Sequence, residues 1–316
     1  MKGMVLRQAD LNEYFEHPAP PLDFLFSDLG FLVGTVGVLV APGATGKTYF
    51  GLQAACALAG GTGADILGLS PCATGRVVYI ALEDPASVLH ARLHAIGKRL
   101  SAAARDAVVD RLALYPAMGA SIDIMSSQHL DVLIARCRDV RLLVIDTFSR
   151  THLRDENANG EMAAVMRQYE RIAAETGTAV LLMHHIGKGA AIAHNNSHQH
   201  AARGASVITD NARWAGYLES ETLGTQLTET LHIVHFGASK SNYVPPAERR
   251  AYERAAGGVL VPADEKLREQ AERVDKEIAA RNASVEERLK RPGSGQGGSA
   301  QAEGRRRGKR KPRKEA

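Results

Sequence analysis

The eight residues Ala41-Pro42-Gly43-Ala44-Thr45-Gly46-Lys47-Thr48 constrain this chain more than any other stretch. They follow the apolar run Thr35-Val36-Gly37-Val38-Leu39-Val40 and open a helix-forming run from Tyr49 to Ala59. Strand, small-residue loop and helix therefore arrive in the order a phosphate-binding loop requires. Small residues let successive backbone N–H groups converge on one cavity, where they and the helix N-terminus hold the phosphates of a nucleotide. Lys47 is placed to neutralise phosphate charge, and the Thr48 hydroxyl to ligate Mg²⁺. The loop begins with Ala41 where a glycine is usual. A turn entered from a β conformation does not need φ > 0 there. The expected ligand is a nucleoside triphosphate, ATP with Mg²⁺.

With 316 residues and 45% hydrophobic content, the chain is long enough to bury a full α/β core. Cys56, Cys72 and Cys137 are an odd count without metal-ligand spacing, as expected of reduced thiols in a cytoplasmic protein. The N-terminus lacks a basic segment leading into an unbroken apolar one, and Phe24 to Ala41 is interrupted by Asp28 and three glycines. Neither a signal peptide nor a membrane span is expected.

Charge divides the chain unevenly. Residues 291–316 carry nine Lys and Arg against two Glu. The whole chain is +4 and this tail +7, which leaves −3 on residues 1–290. The tail's Gly293–Gly298 spacer and its Arg305–Lys311 polybasic run read as disordered and able to hold nucleic acid electrostatically. Residues 263–290 read as a charged helical extension with a thin apolar stripe, 35–262 as the catalytic domain and 1–34 as a lead-in.

Strand-like and helix-like runs alternate after the loop: strands at 76–82, 112–115, 141–145 and 178–183, helices at 85–100, 128–138 and 161–175. This predicts an α/β fold with a mostly parallel sheet covered on both faces by helices. The runs 226–236, 241–244 and 258–261 lack intervening helices and predict an antiparallel extension at one edge.

Leu142-Leu143-Val144-Ile145-Asp146 is a buried strand ending in a carboxylate, where open α/β sheets bind ligands and where Asp146 can hold Mg²⁺ directly or through water. Thr147 follows, so no Asp-Glu pair exists and a catalytic base must come from elsewhere. Glu83, just past the second strand, is the candidate, with Asp84 expected to cap the helix after Pro85. His184 and His185 end a further strand, and His185 is the candidate γ-phosphate sensor. Two segments leave this edge. Residues 186–202 contain several histidines but no Cys or carboxylate, which does not read as a metal site; 148–160 contain Arg150, His152 and Arg154. Both are candidates for a nucleic-acid backbone.

Together these motifs resemble the RecA/DnaB superfamily and, within it, the hexameric RepA-type replicative helicases of broad-host-range plasmids. The resemblance spans roughly residues 15–262. It rests on the loop, Tyr79 to Pro85, Leu93-His94-Ala95-Ile96-Gly97, Asp146-Thr147, Glu156-Asn157-Ala158 and His184-His185 with Gly187-Lys188-Gly189-Ala190. Ala202-Arg203-Gly204-Ala205-Ser206, Asp210-Asn211-Ala212-Arg213-Trp214 and Ser239-Lys240-Ser241-Asn242-Tyr243 extend it. It implies a RecA-like core and a homohexameric ring hydrolysing ATP between subunits while moving on single-stranded DNA in plasmid replication, in company with other replication proteins. It further implies that Glu83 is the base, Lys47 and Asp146 the loop and strand-end residues, and Arg213 an arginine finger from the neighbouring subunit, with Arg203 and Lys240 as alternatives. Two other classes remain open: a DNA-binding regulatory or assembly ATPase that does not unwind, and a small-molecule kinase, against which stands the lack of an Arg-rich lid.

Overall fold

The computed structural model describes residues 8–186, 206–223, 231–245 and 248–264. The loop residues 187–205, Arg203 among them, the start of the expected 226–236 strand, and the expected helical extension and basic tail from 265 onward lie outside the described residues.

Nine strands form one sheet: β1 (Val36–Ala41), β2 (Val77–Ala81), β3 (Leu112–Pro116), β4 (Leu142–Asp146), β5 (Ala179–His185), β6 (Trp214–Leu223), β7 (Leu231–Ser241), β8 (Arg250–Arg254) and β9 (Leu260–Pro262), in the spatial order β3-β2-β4-β5-β1-β6-β7-β8-β9. The first six in that order are parallel, and β7 to β9 are added antiparallel. The α/β class, the parallel body and the antiparallel extension are as expected from the sequence.

The helices are α1 (Leu11–Glu16), α2 (Lys47–Gly60), α3 (Ala86–Gly97), α4 (Ala102–Arg111), α5 (Ser127–Arg136), α6 (Asn159–Thr176) and α7 (Ser206–Asn211). Successive strand residues point to opposite faces, and both faces here are buried, so the strands read as nearly continuous apolar runs. Val36, Val38 and Val40 of β1 join Leu143 and Ile145 in a layer with Leu130 and Leu133 of α5 and Met162, Val165 and Tyr169 of α6. Leu39, Leu142 and Val144 point the other way, into a layer with Leu52, Ala55 and Leu58 of α2. Helix α2 runs across this second face, and from Phe50 to Ala59 every residue is buried.

The lead-in belongs to that second layer too. Leu25, Phe26, Leu29 and Phe31 are buried in it. Phe31 stacks flat on Trp214 with centroids 5.0 Å apart, and the Trp214 indole N–H donates to the Leu29 carbonyl. A Cβ on Gly37 would come within 2.6 Å of the Phe31 ring, which is why β1 carries a glycine in mid-strand.

Several details differ from expectation. Helix α4 was not anticipated, because only Ala104 of it is buried and its sequence carries no apolar face. Strands β6 and β8 were not anticipated, and 241–244 is not a strand of its own, since β7 runs on to Ser241 before the chain turns. Asp84 does not cap α3: Pro85 holds the cap position without a side-chain bond, and Asp84 instead forms an ion pair with Arg92 on the helix surface.

Candidate nucleotide-binding and hydrolysis site

Parallel strands end together, so residues far apart in sequence meet along one edge. Ala41 of β1 lies opposite His185 of β5; Asp146 of β4 lies between Ala81 and Met183. Residues 41–48, Glu83, Asp146 and His185 therefore share the carboxyl edge of the sheet.

Ala41 is the last residue of β1, fully buried and without positive φ. Its carbonyl accepts the Ile186 N–H at 3.2 Å, so it anchors the loop instead of lining the cavity. The turn is made by Ala44 (φ 66°) and Gly46 (φ 107°), both left-handed. Gly43 and Ala44 are exposed and Pro42 is half-buried; Thr45 is buried with its hydroxyl on the Pro42 carbonyl at 2.9 Å, closing the loop on itself. Gly46 is the N-cap of α2, which begins at Lys47, and as a glycine it offers the helix's first amides no side-chain cap.

Behind the loop lie buried polar atoms without protein partners. Among the described residues Lys47 Nζ has none, nor has Asp146 Oδ1. Asp146 Oδ2 accepts a 2.8 Å bond from the fully buried Tyr79 hydroxyl, which fixes the carboxyl with its other oxygen free. Burial pushes the Asp146 carboxyl up, opposed by Tyr79, by Thr48 close by and by the Lys47 charge. Burial pulls the Lys47 ammonium down to about 8, with Asp146 and Glu83 pulling the other way. A buried ammonium without a partner costs free energy that a phosphate would relieve, and a free carboxylate oxygen beside a threonine is a donor set that suits Mg²⁺. The residues present thus fit both ATP and its cation. When bound, the ion would be held by Thr48 and Asp146 and would neutralise phosphate charge.

Glu83 lies just past β2 at the same edge. His185 Nε2 is 3.0 Å from one of its oxygens, and Arg150 Nε is 3.9 Å from the other. Of the two histidines, His185 is exposed and on Glu83, whereas His184 is buried. Burial first, then the Lys47 charge, pulls the His184 imidazole down to about 4, which keeps it neutral. Its ring meets the edge of Phe148, which also packs against His152, so the strand end and the following loop are joined through one aromatic ring. Arg150, offered to nucleic acid by the sequence, stands next to Glu83 instead.

Arg213 lies at the opposite edge. It directly precedes β6, its N–H donates to Val36 at the start of β1, and it is exposed. The distance from Val36 to the loop is the length of β1, so Arg213 cannot reach the loop of its own chain. Lys240 donates to the Thr209 and Asp210 carbonyls at 3.1 and 2.8 Å and so closes the end of α7.

One neighbour of the loop had no sequence signal: Arg254 on β8, whose Nη2 donates to the Ala44 carbonyl at 2.8 Å. It stands 210 residues away from Ala44 in the chain, and no spacing rule connects them.

Among the described residues no helix is long and apolar enough to cross a membrane. A family model described as AAA domain matches residues 5–191. Among solved structures, a KaiC-like protein from the hyperthermophilic archaeon Pyrococcus horikoshii OT3 aligns over 77% of this chain and 100% of its own, at 17% identity and TM-score 0.52. The RadB recombinase aligns over 74% of this chain and 93% of its own, at 14% identity and TM-score 0.48. At 17% identity the likeness to the KaiC-like protein is one of fold. Because the family match spans more than half of the chain, this protein belongs to the AAA domain family, with the fold of a RecA-like P-loop ATPase.

Proposed function

We propose that this protein is an ATP-driven replicative DNA helicase, acting as a homohexameric ring on single-stranded DNA in plasmid replication. The observation that carries the reading is the grip on Glu83: its two oxygens face His185 and Arg150. His185 ends β5 and Arg150 lies just past β4, so each precedes or begins a segment leaving the nucleotide edge. A carboxylate held by two such side chains can have its position set by whatever those segments touch.

In this reading the loop amides and Lys47 hold the β- and γ-phosphates of ATP. Glu83 orients a water against the γ-phosphorus and accepts its proton as the P–O bond to ADP breaks. His185 exchanges its contact with Glu83 for one with the γ-phosphate, and so registers the departure of that group. Arg213, exposed and remote from its own loop, enters the site of the next protomer and stabilises transition-state charge. The motif resemblance to plasmid helicases and the basic tail composition support DNA as the track, and other replication proteins as further partners.

The test is ATP hydrolysis with and without single-stranded DNA, followed by strand separation on a forked duplex. Strong stimulation with unwinding is expected, both lost in Lys47→Ala. Hydrolysis that ignores DNA, or responds to it without separating strands, would replace the helicase with a regulatory or assembly ATPase, the second reading that the basic tail also suits.

A further inference from the structure

The antiparallel strands β7 to β9 lie beside the parallel body, yet their inner face is the floor on which the first half of α2 rests. Phe50 of α2 packs on Phe236 of β7 and Tyr252 of β8, with centroids 4.6 and 6.2 Å away. Gln53 pairs its amide with the backbone of β9 in both directions, donating to the Leu260 carbonyl at 2.7 Å and accepting the Leu260 N–H at 2.9 Å. The turn between β8 and β9 closes the arrangement from the side. Gly257 and Gly258 both have positive φ; a Cβ on Gly258 would stand 2.9 Å from the Tyr49 ring, and one on Gly257 2.7 Å from Ala95 of α3. The Tyr49 hydroxyl donates to the Gly257 carbonyl, and the Arg92 guanidinium lies 5.4 Å over the Tyr49 ring.

This packing fixes the end of β8 against the phosphate loop. Arg254 is half-buried there, and burial disfavours its charge. Its Nη2 touches Ala44, the loop's left-handed alanine, and lies 3.1 Å from where a Cβ of Gly46 would be. Among the described residues no carboxylate pairs with it. A guanidinium has five N–H donors, and one bond to a carbonyl leaves most of them unused. Arg92 and Arg141, by contrast, are each paired to a carboxylate.

We propose that Arg254 is a nucleotide-binding residue acting within its own subunit, its guanidinium donating to phosphate oxygens of the bound nucleoside triphosphate. The antiparallel extension thereby becomes a wall of the nucleotide site. This rests on the reading of residues 41–48 as the triphosphate cradle. The guanidinium plane matches phosphate geometry, and the bonds it makes there are charge-assisted, so they exceed what one carbonyl returns. The cation also comes from the same chain as the loop, so it serves binding in every subunit whether or not a ring forms. Arg213, in contrast, serves a neighbour.

The bond to Ala44 has an alternative meaning: Arg254 could merely hold the loop in shape. Arg254→Gln and Arg254→Lys together separate the two, because glutamine keeps an amide donor without charge whereas lysine restores the charge without the guanidinium fork. The measurement is equilibrium binding of a non-hydrolysable ATP analogue, with inorganic tripolyphosphate as competitor, for wild type, Arg254→Gln, Arg254→Lys and Lys47→Ala, alongside the melting temperature of each without ligand. The expected result is a loss of affinity of about 10-fold or more in Arg254→Gln for both the analogue and tripolyphosphate, with an unchanged melting temperature and partial recovery in Arg254→Lys. Wild-type affinity in Arg254→Gln overturns the proposal, as does a loss for the analogue that tripolyphosphate does not share. A loss with a lowered melting temperature that Arg254→Lys fails to restore also overturns it, in favour of loop support. If Lys47→Ala binds normally as well, it is the cradle itself that has been misread.

Discussion

The two edges of the parallel sheet are built from similar strands but leave most of their polar groups in different conditions. At the amino edge most of those groups meet partners within the protein, Arg141 Nε being buried without one among the described residues. The terminal nitrogens of Arg141 fork onto Asp23 at 2.9 and 2.5 Å, the Thr178 hydroxyl serves the Cys137 and Val140 carbonyls, and the Trp214 indole serves Leu29. At the carboxyl edge Lys47 Nζ, Asp146 Oδ1 and His184 Nδ1 are buried with none among the described residues. Unpaired buried polar groups cost stability, so a fold keeps them where a ligand repays the cost. The contrast separates residues that hold the protein together from residues that wait for something.

If that separation is right, the largest effect belongs to Glu83. Glu83→Gln keeps the size of the side chain and a group that His185 can meet, but removes the base. Hydrolysis should fall by about 100-fold or more while nucleotide affinity stays nearly unchanged. Steady-state turnover and an equilibrium titration read the two. Turnover close to wild type would move the base away from this edge residue.

A second effect concerns the unpaired His184. Its folded pKa lies near 4, below the ordinary value of 6.5. The stability it retains as a neutral ring is complete above pH 6.5 and is lost as pH falls towards 4, because only the unfolded chain binds the proton across that window. The loss amounts to about 3 kcal/mol at most. Denaturant unfolding of wild type and His184→Leu at several pH values isolates it. The variant should lose less stability than wild type between pH 6.5 and 4; parallel curves would mean that the ring titrates normally.

Much of the carboxyl edge was legible in the sequence because each βα unit writes its own strand end. The loop, Glu83, Asp146 and His185 each follow a short apolar run, and such runs are distinctive when both faces are buried. Legibility failed where a partner is remote. Arg254 sits in Arg250-Ala251-Tyr252-Glu253-Arg254, which reads as a helix former until β7 and β9 pair with it. Arg150 was visible as a basic loop residue, but not its place beside Glu83. Asp84 was misjudged because its partner Arg92 lies two turns along α3, beyond the reach of capping rules.

The amino edge should respond differently. Arg141→Ala removes the fork on Asp23 and a bond to the Phe24 carbonyl at 2.9 Å, and so loosens the lead-in from the sheet. Asp23 is more than half exposed, which limits the loss to about 1 kcal/mol. Thermal unfolding should record that loss, and turnover per folded molecule at moderate temperature should not change. A collapse of turnover without a change in melting temperature would show that the two edges are coupled.

The smallest expected effect is at Lys240, and it bears on which group would act between subunits in the proposed ring. Its ammonium lies on the last carbonyls of α7, where a cation meets the negative end of the helix dipole, a contact worth about 0.5–1 kcal/mol. Lys240→Met should therefore shift unfolding slightly and leave hydrolysis alone, because a side chain already bonded within its own subunit is poorly free to enter another's site. In the proposed ring Arg213→Met should do the reverse, lowering turnover without affecting stability. Should Lys240→Met abolish turnover while Arg213→Met is silent, the inter-subunit role passes to Lys240. A side chain bonded within its own chain would then be the acting group, and a structural contact would no longer mark a residue as merely structural.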